Sequence, residues 1–264
     1  AAAAAAAATG GAAPDAAAVQ EYADLWAEAA EDFEAVGDLS RAAAALDDAG
    51  RACMDAAGVQ PYDPATERPA LSRQAREHFV AAAGLYARLL ARVRRDDDDA
   101  AEARAGLLSR RAESLYRAGL NGRDEPGACA EHLRGALEAH AAARADRAAM
   151  RVLVRASGAP AVAVREADVR YHLGVALLAA GRPAEAEEEA LAPCARVFAA
   201  QGQRVREREA WSALAAVRKR LGDAAGEAEA RKRVEGLTLG PAESPEDEGA
   251  RADGLAASAG PRPG

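Results

Sequence analysis

The fold of this chain is decided at residues 169–190, which read VRYHLGVALLAAGRPAEAEEEA. This stretch predicts two helices that meet at Gly181 with almost no loop between them. Gly181 ends the first helix, because glycine adopts the left-handed conformation without a Cβ clash. Pro183 begins the second helix, where its fixed φ fits and its missing N–H costs nothing. Leu173 and Leu177 share one face of the first helix, so the stretch predicts a tight antiparallel helical hairpin.

Gly174 lies in the middle of the first of these helices. Glycine at such a position is about 1 kcal/mol less favourable than alanine. A glycine there is typical of a site that another backbone approaches closely. We therefore expect a second helix to pack with its backbone against Gly174.

The composition of the whole chain favours helices alone. The chain has 264 residues, of which 50% are hydrophobic but only 4% are aromatic. Alanine, the best helix former, supplies most of the apolar content. The β-branched and aromatic runs that indicate strands are missing. We therefore predict an all-α fold in which a few large side chains fill the gaps between alanine-lined helices.

The 169–190 stretch resembles a tetratricopeptide repeat. The family pattern runs W-x2-L-G-x2-Y, then A-x3-F, then P, over about 34 residues. Four residues fall in its register, namely Leu173, Gly174, Leu177 and Ala186. Three positions depart from the pattern, namely Arg170 for the tryptophan, Ala190 for the phenylalanine and Phe198 for the proline.

Three other segments resemble the same repeat. The first is built on Trp26, Ala30 and Phe33, and its second half on Ala42, Leu46 and Ala49. The last contains Trp211, Leu214 and Ala215, and a degenerate unit contains Leu108, Ala112 and Leu115. The intervals between units exceed the family's period of about 34 residues. In its longer helices the chain is also loosely similar to the attachment proteins of the membrane-fusion machinery.

These resemblances imply an α-solenoid of antiparallel helical hairpins, with about nine helices. The predicted helical domain covers residues 17–238. We predict a disordered alanine- and glycine-rich extension at 1–16 and a disordered acidic tail at 239–264. Clusters of glycine and proline predict loops at residues 58–72 and 119–127.

Charge and cysteine content limit the partners and the compartment. The formal net charge is −8 and the pI is about 5.2, which argues against nucleic acid as a partner. Cys53, Cys129 and Cys194 are far apart in sequence, so they indicate buried thiols in a reducing, cytoplasmic compartment. No apolar run approaches the roughly 18 residues of a membrane span.

No sequence motif predicts catalysis, a cofactor or a metal site. Cys129, His132 and His140 have spacings that would place them near one helix face. A closed zinc site needs four ligands, and no second cluster supplies the rest. We therefore favour surface histidines and a packed cysteine, and we predict no catalytic residue, no metal and no cofactor.

The resemblance to the repeat family implies a concave groove lined by the first helix of each hairpin. The groove residues that we predict from it are Arg110, Glu113, Tyr116, Arg117, Tyr171, His172, Lys219 and Arg220. The same argument adds an acidic end, made of Asp24, Ala27, Glu28, Glu31 and Glu34, and the apolar residues Val175 and Leu178. An acidic end followed by a basic and aromatic part could orient a bound peptide. The alternative is that these are solvated charges without a binding role.

The sequence therefore predicts a non-enzymatic scaffold or adaptor that binds a protein or peptide in this groove. The alternative is a regulatory sensor, in which a small peptide or metabolite binds a pocket near Tyr171 and Trp211. An enzyme is a third interpretation, and no motif favours it.

Overall fold

The computed structural model describes residues 16–57, 69–94, 100–121 and 124–237. Within these ranges the protein is all-α, as predicted, and it contains no strand. Ten helices occupy the described ranges, close to the expected nine. The predicted disordered ends lie outside the described residues, apart from Ala16, which begins the first helix.

The helices follow one another along the chain with few residues between them. Their bounds are α1 Ala16–Ala35, α2 Leu39–Ala57, α3 Pro69–Arg92, α4 Ala101–Leu120, α5 Pro126–Ala145, α6 Arg147–Ser157, α7 Ala159–Ala179, α9 Arg204–Leu221 and α10 Ala224–Gly236. The helix between α7 and α9, α8, consists of the consecutive segments Pro183–Glu185, Ala186–Leu191 and Ala192–Ala200, and the middle segment is a π-helix.

Backbone contacts divide the chain into two compact units, unit 1 at Ala1–Met150 and unit 2 at Arg151–Gly264. The division falls within α6. Nothing in this division tests whether residues 17–238 form one domain, so that boundary stays a prediction.

In unit 1, each of the helices α1 to α4 packs against the next one along the chain. Most of the buried residues are alanines, which let the helices approach closely. Phe79 and Tyr86 on α3 are the largest fully buried side chains of this unit. Trp26 on α1 is half-buried and packs against both apolar clusters, around Phe79 and around Tyr86. The expected core of alanine seams with a few large side chains is therefore present.

The turn from α1 to α2 agrees with its sequence signals. Gly37 has a φ of +83°, and the Asp38 carboxylate accepts a hydrogen bond of 3.1 Å from the Arg41 N–H. An aspartate before the first helical residue satisfies an N–H group that has no partner within the helix. Asp38 therefore caps α2, as its position predicts.

In unit 2, the helices α7 to α10 are joined by corners of two or three residues. Gly181, Gly202 and Gly222 lie at these corners with φ between +67° and +75°. At the first corner the Arg182 N–H donates to the Leu177 carbonyl over 2.9 Å, which closes the end of α7. The predicted hairpin at Gly181 is confirmed.

The neighbour that packs against Gly174 is a side chain and not the backbone that we expected. A Cβ atom added to Gly174 would lie 2.4 Å from Cγ of Leu191, on the π-helical segment of α8. Leu173, Leu177 and Leu191 are fully buried. The absence of a side chain at Gly174 therefore makes room for Leu191, and the expectation of a close backbone was wrong.

Two predicted loops were too long, and one helix was not predicted. Pro69 and Pro126 begin α3 and α5, because proline is compatible with the first helical turn. Gly119 lies inside α4, and its lack of a side chain makes room for Leu133, because a Cβ there would lie 2.4 Å from Leu133 Cγ. The missed helix, α6, begins after Asp146, whose carboxylate accepts hydrogen bonds of 3.1 and 3.0 Å from two N–H groups of the first turn of α6.

Candidate partner-binding surfaces

The predicted groove residues fall in both units. Arg110, Glu113, Tyr116 and Arg117 lie on α4 in unit 1, where we call them the α4 face. Tyr171 and His172 lie on α7, and Lys219 and Arg220 on α9, in unit 2. The α4 residues recur on successive turns of one helix, so they share one side of it.

A buried polar network lies next to the α4 face and joins three helices. The Tyr86 hydroxyl on α3 donates to Asp47 Oδ2 on α2 over 2.8 Å. The Ser114 hydroxyl on α4 donates to Asp47 Oδ1 over 2.7 Å. Both hydroxyl-bearing residues are 1% exposed, whereas Asp47 is half-buried. We call these three residues the Asp47 network.

Burial controls the proton affinities in the Asp47 network. Desolvation raises the pKa of Asp47, and the hydrogen bonds from Ser114 and Tyr86 offset part of this effect. Burial also raises the pKa of Tyr86 to about 12, and the nearby Asp47 charge adds to the shift. Arg110 of the α4 face is hydrogen-bonded to the same tyrosine, which lowers its pKa somewhat. The α4 face is therefore coupled to the buried network.

Arg117 is held in place by two neighbours. Its Nε donates to Glu113 Oε1 over 2.7 Å, one helical turn away. Its guanidinium carbon lies 5.8 Å from the centre of the Phe79 ring, within the distance of a cation–π contact. Glu113 and Arg110 are exposed, whereas Tyr116 and Arg117 are half-buried. The α4 face thus presents charged groups whose positions are partly fixed.

The Asp47 network was not predicted from the sequence. Tyr86 lies seven residues after Phe79, a spacing that puts both on one helix face, and a buried tyrosine usually needs a partner for its hydroxyl. That rule signals a polar partner but does not identify it, because Asp47 is 39 residues away and Ser114 is 67 residues from Asp47.

In unit 2, Tyr171 and His172 are half-buried neighbours on α7. Their ring centres are 5.2 Å apart in an edge-on arrangement. Desolvation is the main cause that raises the pKa of Tyr171, and the charge of Glu209 adds to it. Arg206 lies 3.5 Å from Asp168 Oδ1 and supplies positive charge near this tyrosine.

Lys219 and Arg220 contact different neighbours. Lys219 lines a shallow depression of about 380 Å³ together with residues of α9 and α10. Arg220 donates from Nη1 to the Leu178 carbonyl on α7 over 2.6 Å. An arginine at that position satisfies a carbonyl near the end of a helix. The two residues are therefore adjacent in sequence but do not face one common feature.

The predicted acidic residues lie on α1, which carries six acids and no basic residue. Asp24 accepts hydrogen bonds from Gln20 and from Gln74 on α3. Glu34 pairs with Arg88. Asp24 and Glu28, with the exposed Leu25, line a shallow depression of about 380 Å³. Asp24 and Glu34 therefore already interact with other side chains of unit 1.

The structure describes the surroundings of the three cysteines and of the predicted histidines. The three cysteines are buried free thiols, and burial raises the pKa of Cys53 to about 11 and of Cys194 to about 12. The Cys129 thiol donates to the Asn121 carbonyl over 3.5 Å. Desolvation lowers the pKa of the half-buried His132. Across the described ranges, no three His, Cys, Asp or Glu side chains are grouped so that they could hold a metal ion.

None of the helices in the described part of the chain is both long enough and apolar enough to span a membrane.

The chain matches no known protein-family model, and no curated protein is significantly similar to it. The tetratricopeptide resemblance therefore depends on the repeat residues alone and stays a prediction.

Proposed function

We propose that this protein is a non-enzymatic scaffold or adaptor that binds a segment of another protein through the α4 face. The observation that carries the proposal is the fixed position of Arg117, which Glu113 and Phe79 hold at the surface. A side chain that is already ordered loses less conformational entropy when a partner binds. Arginine is also enriched among residues that dominate binding energies.

The chemistry of the α4 face favours a segment that carries a carboxylate and an apolar side chain. The exposed Arg110 can donate two parallel hydrogen bonds to a carboxylate. Tyr116 offers an amphipathic ring with low conformational entropy. Hydrogen bonds of the Asp47 network connect α2 to α3 and to α4, and they help to hold the α4 face in position.

The proposed architecture is a tetratricopeptide-like stack of hairpins, in which the α4 face is part of a groove. Two observations support it. The α7–α8 corner has the expected left-handed glycine. Alternate helices of unit 1 are joined by side chains, Gln74 of α3 to Asp24 of α1 and Ser114 of α4 to Asp47 of α2. The three buried thiols support a cytoplasmic, reducing location.

A random-peptide display library, panned on the full-length protein, tests the proposal. We expect enriched peptides to bind the Arg110→Ala/Arg117→Ala variant at least about tenfold more weakly, because two charge-assisted contacts are lost. The matched control is Arg92→Ala/Arg208→Ala, which removes two exposed arginines elsewhere. Equal binding by the wild type and both variants would show that the α4 face is not the binding surface.

The sensor alternative has one observation in its favour. The indole Nε1 of Trp211 is buried and has no hydrogen-bond partner. Buried donors are nearly always paired, so a bound molecule with an acceptor could supply the partner. A metabolite screen that follows Trp211 fluorescence in a Trp26→Phe background distinguishes this alternative. A saturable change there, together with no enriched peptide, would favour the sensor.

A further inference from the structure

The start of unit 2 carries an unusual combination of charge and apolar surface. Residues 151–165, which we call the basic segment, contain three arginines and no acid, in a chain of net charge −8. They cover most of α6 and the first turns of α7. We propose that the basic segment is a docking surface for an acidic amphipathic helix of a partner protein. This surface is separate from the α4 face and does not depend on it.

The arginines of the basic segment differ from most others in the protein. Arg151, Arg155 and Arg165 are exposed, and over the described part of the chain none has a side-chain ion pair or hydrogen bond. Several other arginines pair with an acid one turn away on the same helix. Four such pairs are Arg117–Glu113, Arg134–Glu131, Arg170–Glu166 and Arg231–Glu227. The arginines of the basic segment form no such ion pair with any residue that the structure describes.

The arrangement on α6 opposes helix formation. Arg147, Arg151 and Arg155 recur every four residues, so they form one row along the helix. Like charges at this spacing destabilise a helix. A partner that places carboxylates along this row would remove the repulsion and accept charge-assisted hydrogen bonds from each guanidinium.

The apolar side of the basic segment is incompletely covered. Ala149 is the one buried residue of α6, although the helix also contains Val152, Leu153 and Val154. Those three side chains are half-buried, as are Val162 and Val164 at the start of α7. An amphipathic helix of a partner offers apolar side chains at the spacing needed to cover such a surface.

Charge and composition favour an acidic helix over other anionic partners. Anionic membranes are recognised by clusters of about four to eight basic residues. Interfacial helices usually also carry tryptophan, phenylalanine or leucine on the apolar face. The basic segment has three arginines, one leucine and no aromatic residue. Nucleic acid is disfavoured because the chain as a whole is acidic, with a pI of about 5.2.

Fluorescence anisotropy with a labelled synthetic helix and the full-length protein tests the proposal. The probe has about 14 residues, four helical turns, with leucine on one face and glutamate elsewhere. A matched probe carries lysine in place of each glutamate. We expect the glutamate probe to bind and the lysine probe not to bind. We expect Arg151→Glu/Arg155→Glu to weaken binding of the glutamate probe at least about tenfold.

The control is Arg196→Glu/Arg208→Glu, which makes the same charge change at two exposed positions of unit 2 outside the segment. It should change the affinity less than about threefold, the effect expected of screened long-range charge. If circular dichroism shows that the reversed variant is misfolded, Arg151→Ala/Arg155→Ala replaces it. Alanine favours the helix and relieves the repulsion, so this variant should fold and still bind several-fold more weakly.

Four outcomes would overturn the proposal. The first is equal binding of the glutamate and lysine probes, and the second is no binding of the glutamate probe. The third is binding to phosphatidylserine vesicles in the absence of probe binding, which would indicate a membrane partner. The fourth is an equal loss of affinity in the control variant or in Arg110→Ala/Arg117→Ala, which would place the probe elsewhere.

Discussion

The two units bury their helices by different means. Among the described residues, all five buried polar or charged side chains lie in unit 1, namely Ser72, Arg76, Arg104, Ser114 and Asn121. Unit 2 instead buries leucine, phenylalanine and valine, namely Leu173, Leu177, Leu191, Phe198, Leu214 and Val217. The interior of unit 1 therefore depends on specific pairs of polar groups, and that of unit 2 on shape.

The two units also differ in how far apart in sequence the residues that determine their structure lie. The polar pairs of unit 1 join residues far apart in sequence, for example Arg104 to Asp146, 42 residues later. In unit 2 the corners at Gly181, Gly202 and Gly222 are local features. A buried polar group without its partner is costly, so unit 1 should be sensitive to the loss of one partner. Unit 2 should be sensitive to changes of volume.

The two tryptophans of the chain allow this comparison to be measured. Trp26 lies in unit 1 and Trp211 in unit 2. A Trp211→Phe background reports unfolding of unit 1, and a Trp26→Phe background reports unfolding of unit 2. Urea unfolding in the appropriate background therefore measures the stability of each unit separately.

The largest effect is expected from Asp146→Ala in unit 1. The Arg104 side chain is 4% exposed, and its Nε donates to Asp146 Oδ2 over 2.6 Å. Asp146→Ala removes the carboxylate partner of this buried charge, and α6 loses its cap. We expect a loss of about 3–5 kcal/mol in the free energy of unfolding, followed by Trp26 fluorescence.

Asp48→Ala is the matched control for this change. It removes the partner of Arg51, and both side chains of that pair are more than 40% exposed. We expect the control to change stability by less than about 1 kcal/mol, because exposed ion pairs contribute little. Equal effects of Asp146→Ala and Asp48→Ala would remove the basis for calling unit 1 dependent on buried polar pairs.

An intermediate effect is expected from Gly174→Ala in unit 2. The new methyl group would lie 2.4 Å from Leu191 Cγ, so Leu191 must shift. Overpacking of this kind costs about 1–3 kcal/mol, of which better helix propensity recovers a part. Unfolding is followed by Trp211 fluorescence. Combination with Leu191→Ala should show positive coupling, so that the double variant loses less than the sum of the single losses.

Gly84→Ala in α3 is the control for helix propensity. A Cβ at Gly84 meets no atom within 4 Å. We expect this change to raise stability by about 0.5–1 kcal/mol, because alanine replaces glycine in a helix interior without a clash. Additive behaviour of Gly174→Ala with Leu191→Ala would mean that Leu191 is not the group that requires glycine at 174.

The smallest effect is a pH dependence from Asp47. Burial raises its pKa in the folded state above the unfolded value of about 3.9. Between these two values the folded state binds more protons than the unfolded state, so the stability contributed by Asp47 falls as pH rises. Asp47→Asn removes this titration. We therefore expect the variant to gain stability relative to the wild type as pH rises from about 4.

Trp26 fluorescence at a series of pH values measures this difference. Asp146 provides an internal contrast, because its hydrogen bond with Arg104 lowers its pKa. Its contribution is present above about pH 3.9 and is lost as pH falls through the lowered folded value. A constant difference between Asp47→Asn and the wild type across the series would show that Asp47 does not titrate as its burial implies.

Much of the helical framework could be predicted because its signals are local. Asp38 caps α2 and Gly181 ends α7, as their residue types indicated. The four residues of the α4 face share one side of a helix because helical spacing requires it. Whether they bind a partner stays a prediction.

The Asp47 network and α6 could not be predicted by the same means. Asp47 looks like a solvated residue in sequence, and only the packing of three helices buries its neighbours Tyr86 and Ser114. The boundary between α5 and α6 depends on Asp146, which pairs with Arg104 and caps α6 at once. Such dual roles depend on residues that are distant in sequence.

The sequence by itself determined that this protein is built of helices and where several of its corners lie. Propensity, capping and glycine conformation act over a few residues, so they can be read locally. Only the tertiary structure decided which polar groups are buried together, which arginines are paired, and that Leu191 fills the space at Gly174. These choices depend on desolvation and on volume, and both are set by side chains that folding brings together from distant parts of the chain.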